Sequence, residues 1–260
     1  MTHDSNLEDG HARPGAGGQS AVVLGTRRIT AILFAVAVLF AVVGAIVNVV
    51  IYQVAESPDA AIARVLFRFD LGHEPSVPAW FSSGLLLLDS AMLVLIGWAK
   101  SLRNEAFVTH WLVLGIVFLG LSVDEAALFH EMLDTLLSET FDTSGFLLFP
   151  WVVAGLIFVL AFAIAYLKFL VHLPRRFVSL FVASGALYVG GAVGMELMSA
   201  TAIDRYGVAS LAHTVTQTIE ESLEMTGAIL FFYTLTEYWA FQYGPLRIAI
   251  AYPTAMHAGD

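Results

Sequence analysis

The sequence predicts an all-α integral membrane protein, a helical bundle with six transmembrane helices and both termini in the cytoplasm. Hydrophobic residues make up 58% of the 260 residues and charged residues only 13%, whereas charged residues approach about a quarter of an ordinary soluble domain. The mean hydropathy is +0.78. Six apolar runs are each long enough to cross about 30 Å of hydrocarbon as an α-helix. Lys and Arg are also concentrated in the connections on one side of the predicted bundle.

A polar tail precedes the first apolar run. Residues 1–26 are rich in Gly, Ala, Asp and Ser and lack apolar periodicity, so we expect a disordered cytoplasmic tail. The run at about 29–54 exceeds the apolar core of a signal peptide and is therefore an anchor that stays. We expect the transmembrane domain to occupy residues 27–243 and a short cytoplasmic tail to follow at 244–260. The other five runs cover residues 81–99, 107–136, 147–171, 177–202 and 210–241.

The positions of the basic residues predict the orientation, because cytoplasmic connections retain Lys and Arg. Of the 12 basic residues, only Arg64, Arg68 and Arg205 fall on one side of the predicted bundle. The other nine fall on the opposite side, which we therefore assign to the cytoplasm. This pattern favours a multi-pass protein of the cytoplasmic (inner) membrane.

The first outer connection has the pattern of an interfacial amphipathic helix at about 57–70. Ser57 can act as the N-cap with Pro58 in the first helical position, which is where proline is tolerated. Apolar residues then recur at helical spacing, as expected for a helix that lies on the membrane surface; they are Ile62, Val65, Leu66 and Phe69.

A pair of glycines predicts close helix packing in the fifth run. Gly190 and Gly194 form a G-x-x-x-G pattern. Small residues at this spacing let two membrane helices approach closely. We therefore expect a neighbouring helix to pack against these two glycines.

The third run ends in a group of ionisable residues. They are Asp124, Glu125, His130, Glu131 and Asp134. At 3.6 residues per turn, Asp124 and Glu131 share one face and His130 and Asp134 share a neighbouring face. Several polar side chains can then point toward one partner helix.

Two further runs carry acids at the same predicted depth. The fifth run contributes Glu196, and the sixth carries a stripe at helical spacing that consists of His213, Gln217, Glu220 and Glu224. A rise of 1.5 Å per residue places Asp124, Glu196 and the two glutamates roughly 25 to 31 Å from the cytoplasmic ends of their helices. Asp89 on the second run lies nearer the midplane.

Ion pairing within the chain cannot neutralise these acids. Fifteen of the 22 acidic residues lie in the outer half, against the three outer arginines. Acids within apolar runs must then be protonated, hydrated in a cavity or bound to a cation. Glu125 and Glu221 lie off the main stripes of their helices, so we interpret these two as helix contacts.

The available side chains favour a divalent metal site. The sequence contains no cysteine, which excludes disulfides and thiolate ligands. Carboxylates with histidines suit Zn²⁺, Mn²⁺ or Fe²⁺, and Ca²⁺ or Mg²⁺ if the histidines are bystanders. We predict catalytic roles for Glu131 and Asp124. The predicted metal ligands are His130, Asp134, Glu196, His213, Glu220 and Glu224.

One motif is consistent with this ligand set. The stretch from His130 to Asp134 is similar to the helical H-E-x-x-H zinc motif with Asp in place of the last ligand, so that Glu131 would be the general base. Ala127 and Ser210 precede the two histidines by three residues. The Glu-x-x-His pairs of ferritin-like di-iron proteins are therefore absent.

Three functional hypotheses remain open at this point. The first is a membrane-embedded metalloenzyme, a hydrolase or oxidase, that acts on a lipid or a periplasmic small molecule. The second is a proton-coupled or divalent-cation transporter. The third is an accessory subunit whose acids pair with basic residues of a membrane partner. Motifs of serine hydrolases, NTPases and dinucleotide enzymes are absent, and the chain has no basic stripe for nucleic acid.

Overall fold

The computed structural model describes residues 20–23, 25–51, 65–73, 75–138 and 148–250, and these residues are predominantly helical. Five helical segments are long and apolar enough to cross a membrane. They are α1 (Thr26–Val49), α2 (Val77–Leu102), α3 (Val108–Ala127), α5 (Trp151–His172) and the segment Arg175–Tyr206, which contains α6 (Arg175–Val189), a π segment (Gly190–Met195) and α7 (Glu196–Tyr206). A short helix, α4 (Phe129–Ser138), follows α3.

Apolar side chains cover the outside of these helices as well as the inside. Ile164 and Val171 on α5 are 76% and 75% exposed, and Ile32 on α1 is 58% exposed. A helix that is apolar on all sides is stable in a protein interior or in lipid. The exposed apolar surface is therefore that of a protein surrounded by hydrocarbon.

The longest helix is α8 (Leu211–Tyr243), with 33 residues. It starts where Ser210 accepts a hydrogen bond from the backbone N–H of His213, at 3.2 Å, as an N-cap serine does. It packs against α1, α2, α6, the π segment and α7, and thus forms the centre of the bundle. It corresponds to the sixth apolar run, but its first half carries several acids and is less apolar than the other spans.

The predicted third run does not form one continuous helix. The structure ends α3 at Ala127, and Leu128 adopts a left-handed conformation with φ 61°. A new helix then begins at Phe129. The prediction that Asp124 and Glu131 share a helical face is therefore wrong, because the two residues lie on different helices.

Close packing against α8 occurs at glycines other than the predicted pair. Cβ atoms at Gly190 or Gly194 would meet no described atom within 4 Å. At Gly191, in contrast, a Cβ would lie 2.7 Å from Cγ of Glu224 and 2.8 Å from the carbonyl oxygen of Glu220. The π segment explains the shift, because its wider turn changes which residues face the neighbouring helix.

The two ends of the bundle differ in charge. At one end, Arg176 pairs with Glu237 at 2.8 Å, and Arg103 lies 4.6 Å from the ring centroid of Tyr243. Lys100, at the end of α2, lies 5.7 Å from the ring centroid of Tyr238. We call this the basic end; the opposite end, where α2 and α8 begin, is the acidic end.

Two short strands lie near the chain termini. Strand β1 (Ser20–Val23) pairs antiparallel with β2 (Arg247–Ile250), with Ser20 opposite Ile250. These strands fall within the predicted tails, of which residues 1–19, 24 and 251–260 are outside the described ranges. Most of the predicted amphipathic segment at 57–70 also lies outside them; its described end contains a 3₁₀ turn at Phe67–Phe69.

Candidate cation-binding site at the acidic end

The break between α3 and α4 is held by one carboxylate. Asp124 Oδ1 accepts a hydrogen bond from the backbone N–H of His130 at 2.9 Å, and its Oδ2 lies 3.1 Å from Nδ1 of the same histidine. A side-chain acceptor at a helix start satisfies a backbone donor that has no partner within the helix. Asp124 therefore orients the His130 imidazole and also caps α4.

The start of α5 packs against the same face of α4. The ring centroids of His130 and Trp151 are 5.4 Å apart, and Asp134 Oδ1 lies 3.5 Å from the backbone N of Trp151. Burial raises the pKa of Asp134, the Trp151 N–H opposes this effect, and the negative charge of Glu196 raises the pKa further. Asp134 thus lies close to the acids of the other helices.

Two predicted ligands are neighbours across the interface between α7 and α8. Glu196, at the start of α7, lies close enough to Glu220, on α8, to act on it as a charged group. Glu220 is 8% exposed, and the other charged groups that act on it, Glu224 and Glu221, are also carboxylates. Neighbouring carboxyl groups away from water repel one another when they are ionised. A proton or another cation at this position would relieve the repulsion.

A narrow gap, too small to admit a water molecule, lies at Glu224, one helical turn from Glu220. Glu125, Glu224, Tyr188 and Ser82 line it, together with apolar side chains of α2 and α8. Ser82 is 6% exposed, and its hydroxyl has no hydrogen-bond partner within the described ranges. The position of Glu125 off the helical stripe predicts that it is only a helix contact. The structure instead directs it into this gap, because α3 faces both α2 and α8 here.

His213 occupies the edge of the cluster. Its Nδ1 lies 3.0 Å from the Ser199 hydroxyl of α7, and its side chain is 9% exposed. The charges of Asp70 and Glu196 both act on it. His213 therefore connects α8 to α7 and borders the Glu196–Glu220 pair from the outer side.

A buried hydrogen-bond network ties the connection between α1 and α2 to the bundle. Asn48 donates to Asp70 at 3.0 Å and accepts from the hydroxyl of Thr214 at 2.7 Å. All three residues are at most 5% exposed. Gln217, part of the predicted stripe, donates to the carbonyl oxygen of Gly72 at 3.1 Å. The connection thus lies against α1 and α8 beside the acidic cluster.

The predicted site residues are not all brought together. We define the acidic cluster as Asp124, Glu125, His130, Asp134, Glu196, Glu220 and Glu224. The predicted general base, Glu131, is exposed on α4. Across the described parts of the chain, no three His, Asp or Glu side chains are arranged closely enough to hold one metal ion. Within the cluster, Asp124 and His130 are joined by hydrogen bonds, and Glu196 and Glu220 are neighbours.

The buried residues Asp70, Asn48 and Ser82 were not among the predicted site residues. Asn48 does carry a signal, since it is an isolated amide in a long apolar run, and polar groups inside membrane helices are costly unless they have a partner. Ser82 has no such signal. Its position in the gap depends on the packing of α2 against α3 and α8.

Comparison with known proteins places the chain in a family. No curated protein matches it, and neither does any solved structure. A family model matches residues 23–238, a range that includes the whole acidic cluster and the hydrogen-bond network of Asn48. The chain therefore belongs to the family described as Domain of unknown function (DUF8692).

Proposed function

We propose that this protein is a six-span protein of the cytoplasmic membrane whose acidic cluster binds a divalent cation, either Zn²⁺, Mn²⁺ or Fe²⁺. In this proposal the cation is the centre of a membrane-embedded enzyme that acts on a lipid or a small molecule at the outer face. The observation that carries the proposal is the Glu196–Glu220 pair. Glu220 is buried and Glu196 is half-buried, so the two neighbouring carboxyl groups repel one another when both are ionised, and a proton or a metal cation would relieve the repulsion.

The surroundings of the pair support a metal as the physiological cation. Asp134 and His213 lie near Glu196, and Glu224 lies near Glu220. This mixture of carboxylates and imidazole suits a borderline divalent metal. As placed, no three of these side chains within the described ranges are arranged to hold one ion, so metal binding would require some of them to change rotamer. Asp124 would keep His130 oriented, as second-shell carboxylates do in metal sites.

The proposed six-span arrangement consists of the five apolar helical segments and of α8 as the sixth span. With 33 residues, α8 is roughly 50 Å long, so its less apolar first half can extend beyond the hydrocarbon while the rest crosses it. The pairing of β1 with β2 supports a common side for both termini, as an even number of spans requires. The basic end, with Arg103 and Arg176, is then the cytoplasmic end.

Elemental mass spectrometry of the detergent-purified full-length protein tests the metal proposal. We expect about one or two equivalents of Zn, Mn or Fe in the wild type, as in other mononuclear or dinuclear carboxylate–histidine sites. Glu220→Gln should lower the content at least tenfold, because an amide cannot replace the anionic ligand. Metal content should also fall as the pH is lowered, since ligand carboxylates such as Asp134 must lose their protons to bind.

Glu237→Gln is the matched control. It makes the same substitution in the same helix, but at the basic end, where Glu237 pairs with a partly exposed arginine. Its metal content should equal that of the wild type. If wild-type protein purified with each metal present contains no metal, the metalloenzyme proposal is wrong.

A second function, proton-coupled transport, is supported by Asp89. This residue is fully buried in α2, and neither carboxylate oxygen has a hydrogen-bond partner within the described ranges. Asp89 lies two turns beyond Ser82 on the same helical face, roughly 10 Å from Ser82 toward the basic end. Ionisable residues in this setting mark proton or ion pathways in membrane proteins.

Flux measurements distinguish the two functions. If the protein transports protons, proteoliposomes should show metal-driven or pH-driven proton flux that Asp89→Asn abolishes. Ser90→Ala, at the adjacent buried position whose hydroxyl donates to the Gly115 carbonyl, should retain the flux. The absence of flux in wild-type proteoliposomes would exclude this second function.

A further inference from the structure

A second cavity lies at the basic half of the bundle, apart from the acidic cluster. It is a groove of about 430 Å³ between α1 and α8, within the usual size range of small-molecule sites. Its walls include Arg27, Ala31 and Phe34 of α1 and Thr226, Leu230 and Tyr233 of α8.

The two helices that form this groove run antiparallel. Asn48 of α1 contacts Thr214 of α8 at the acidic end, whereas Arg27 and Tyr233 line the groove together. The helical rise separates these two levels by roughly 30 Å, which is about the thickness of the hydrocarbon. Arg27 therefore lies near the opposite membrane boundary, and the groove runs from it toward the midplane.

The groove combines one cation with apolar walls. Among the residues that the structure describes, Arg27 is the only charged one that lines the groove, and none of the lining residues is a carboxylate. Within the described parts of the chain, Arg27 forms no salt bridge, in contrast to Arg176, which pairs with Glu237. The guanidinium group is thus available to an anion, and its planar set of donors matches a phosphate.

We propose that the groove between α1 and α8 binds an anionic phospholipid, with its phosphate on Arg27 and one acyl chain along Phe34 and Leu230. A phospholipid has the two features that the groove requires, a negative group at the membrane boundary and an apolar chain directed toward the midplane. Basic pockets between membrane helices on the cytoplasmic side bind such lipids. This site is independent of the metal proposal.

Native mass spectrometry of the full-length protein in detergent tests the proposal. The protein is titrated with phosphatidylglycerol and, separately, with phosphatidylcholine that has the same acyl chains. Glycerol 3-phosphate serves as a headgroup without a chain. We expect phosphatidylglycerol to bind more tightly than phosphatidylcholine, and glycerol 3-phosphate not to bind. Binding of glycerol 3-phosphate with the affinity of the lipid would overturn the assignment of the acyl chain to the groove.

Three variants separate the headgroup and chain contributions. Arg27→Gln should weaken phosphatidylglycerol binding about fivefold, the factor expected for one basic residue near an anionic lipid, without changing phosphatidylcholine binding. Arg175→Gln removes the same charge from an exposed position at the same end and should have no effect. Ala31→Phe, which fills the groove, should weaken the binding of both lipids.

Two results would contradict the proposal. Equal losses in Arg27→Gln and Arg175→Gln would mean that the lipid responds only to the overall charge of this end. Unchanged binding in Ala31→Phe would mean that no acyl chain occupies the groove. The metal content of Arg27→Gln should equal that of the wild type, so failure of this proposal is distinguishable from failure of the metal site.

Discussion

Individual acids in this protein are stabilised in different ways. Asp70 receives a hydrogen bond from Asn48, and Asp124 receives two donors from His130 in the tautomer that places a proton on Nδ1. Glu220, in contrast, has the carboxylates of Glu196, Glu224 and Glu221 as its charged neighbours. Only the first two arrangements are complete without an added cation. We therefore assign structural roles to Asp70 and Asp124 and the cation site to the glutamates.

The role of Asn48 can be tested by replacement with a residue of similar size. Asn48→Leu removes the amide that donates a hydrogen bond to Asp70 and accepts one from Thr214. A buried carboxylate oxygen of Asp70 then lacks this partner. Such a loss costs about 1 to 3 kcal/mol. We expect a lower thermal unfolding midpoint in detergent, measured by circular dichroism.

The neighbouring residue provides the control for this substitution. Val49 is 39% exposed on the lipid-facing side of α1, so Val49→Leu should leave the midpoint unchanged. If Asn48→Leu unfolds at the wild-type temperature, the hydrogen bond between Asn48 and Asp70 makes no net contribution to stability.

At the scale of secondary structure, two irregularities shape the site. The left-handed Leu128 ends α3 and lets α4 present His130 and Asp134 to α5. The π segment rotates the following helix so that Glu196 faces Glu220. Single π-helical turns inside α-helices frequently occur at functional sites. Both irregularities lie at the level of the acidic cluster, and each brings one predicted ligand into contact with another helix.

Gly191 tests whether close packing of the π segment positions the glutamates. In Gly191→Ala, the new Cβ would overlap the Glu224 side chain and the Glu220 carbonyl group. The two segments must then move apart, at a cost of about 1 to 3 kcal/mol for overpacking. We expect a lower unfolding midpoint and reduced metal content.

Gly190→Ala is the adjacent control, because a Cβ at that position meets no described atom within 4 Å. It should leave the midpoint unchanged or raise it slightly, since alanine is less flexible than glycine in the unfolded chain. If the two variants behave alike, the Gly191 contact does not determine the position of Glu224.

For the whole molecule, the segregation of charge predicts a single orientation in the membrane. The chain contains no cysteine, so an introduced thiol is the only site for a maleimide. Ser138→Cys lies at the end of α4, and Ser101→Cys lies at the end of α2 near Lys100; both serines are exposed and donate to a carbonyl of their own helix. A membrane-impermeant maleimide should label Ser138→Cys in intact cells, and Ser101→Cys only after permeabilisation.

The opposite labelling pattern would invert the orientation and place the acidic cluster in the cytoplasm. Labelling of both variants in intact cells would contradict the six-span arrangement, because α3 would then not separate the two sides. Either result would leave the metal measurement valid but would change the compartment of the substrate.

The sequence alone determined the helical class and the positions of five apolar spans, because membrane-crossing length and hydropathy are local properties of the chain. It also placed acids on the helices that now form the cluster, since helical spacing and depth depend only on residue number. The distribution of Lys and Arg between the connections predicts the orientation, because it too depends only on residue positions along the chain.

Only the tertiary structure decided which side chains meet. Extrapolation through α3 placed Asp124 beside Glu131, but the break at Leu128 pairs Asp124 with His130 instead. The packing glycine is Gly191 rather than Gly190, because a π turn shifts the helical phase. The lipid groove arises between two helices that are distant in sequence. Contacts between helices depend on their rotation and on local breaks, and neither can be obtained from a periodicity that assumes a regular helix.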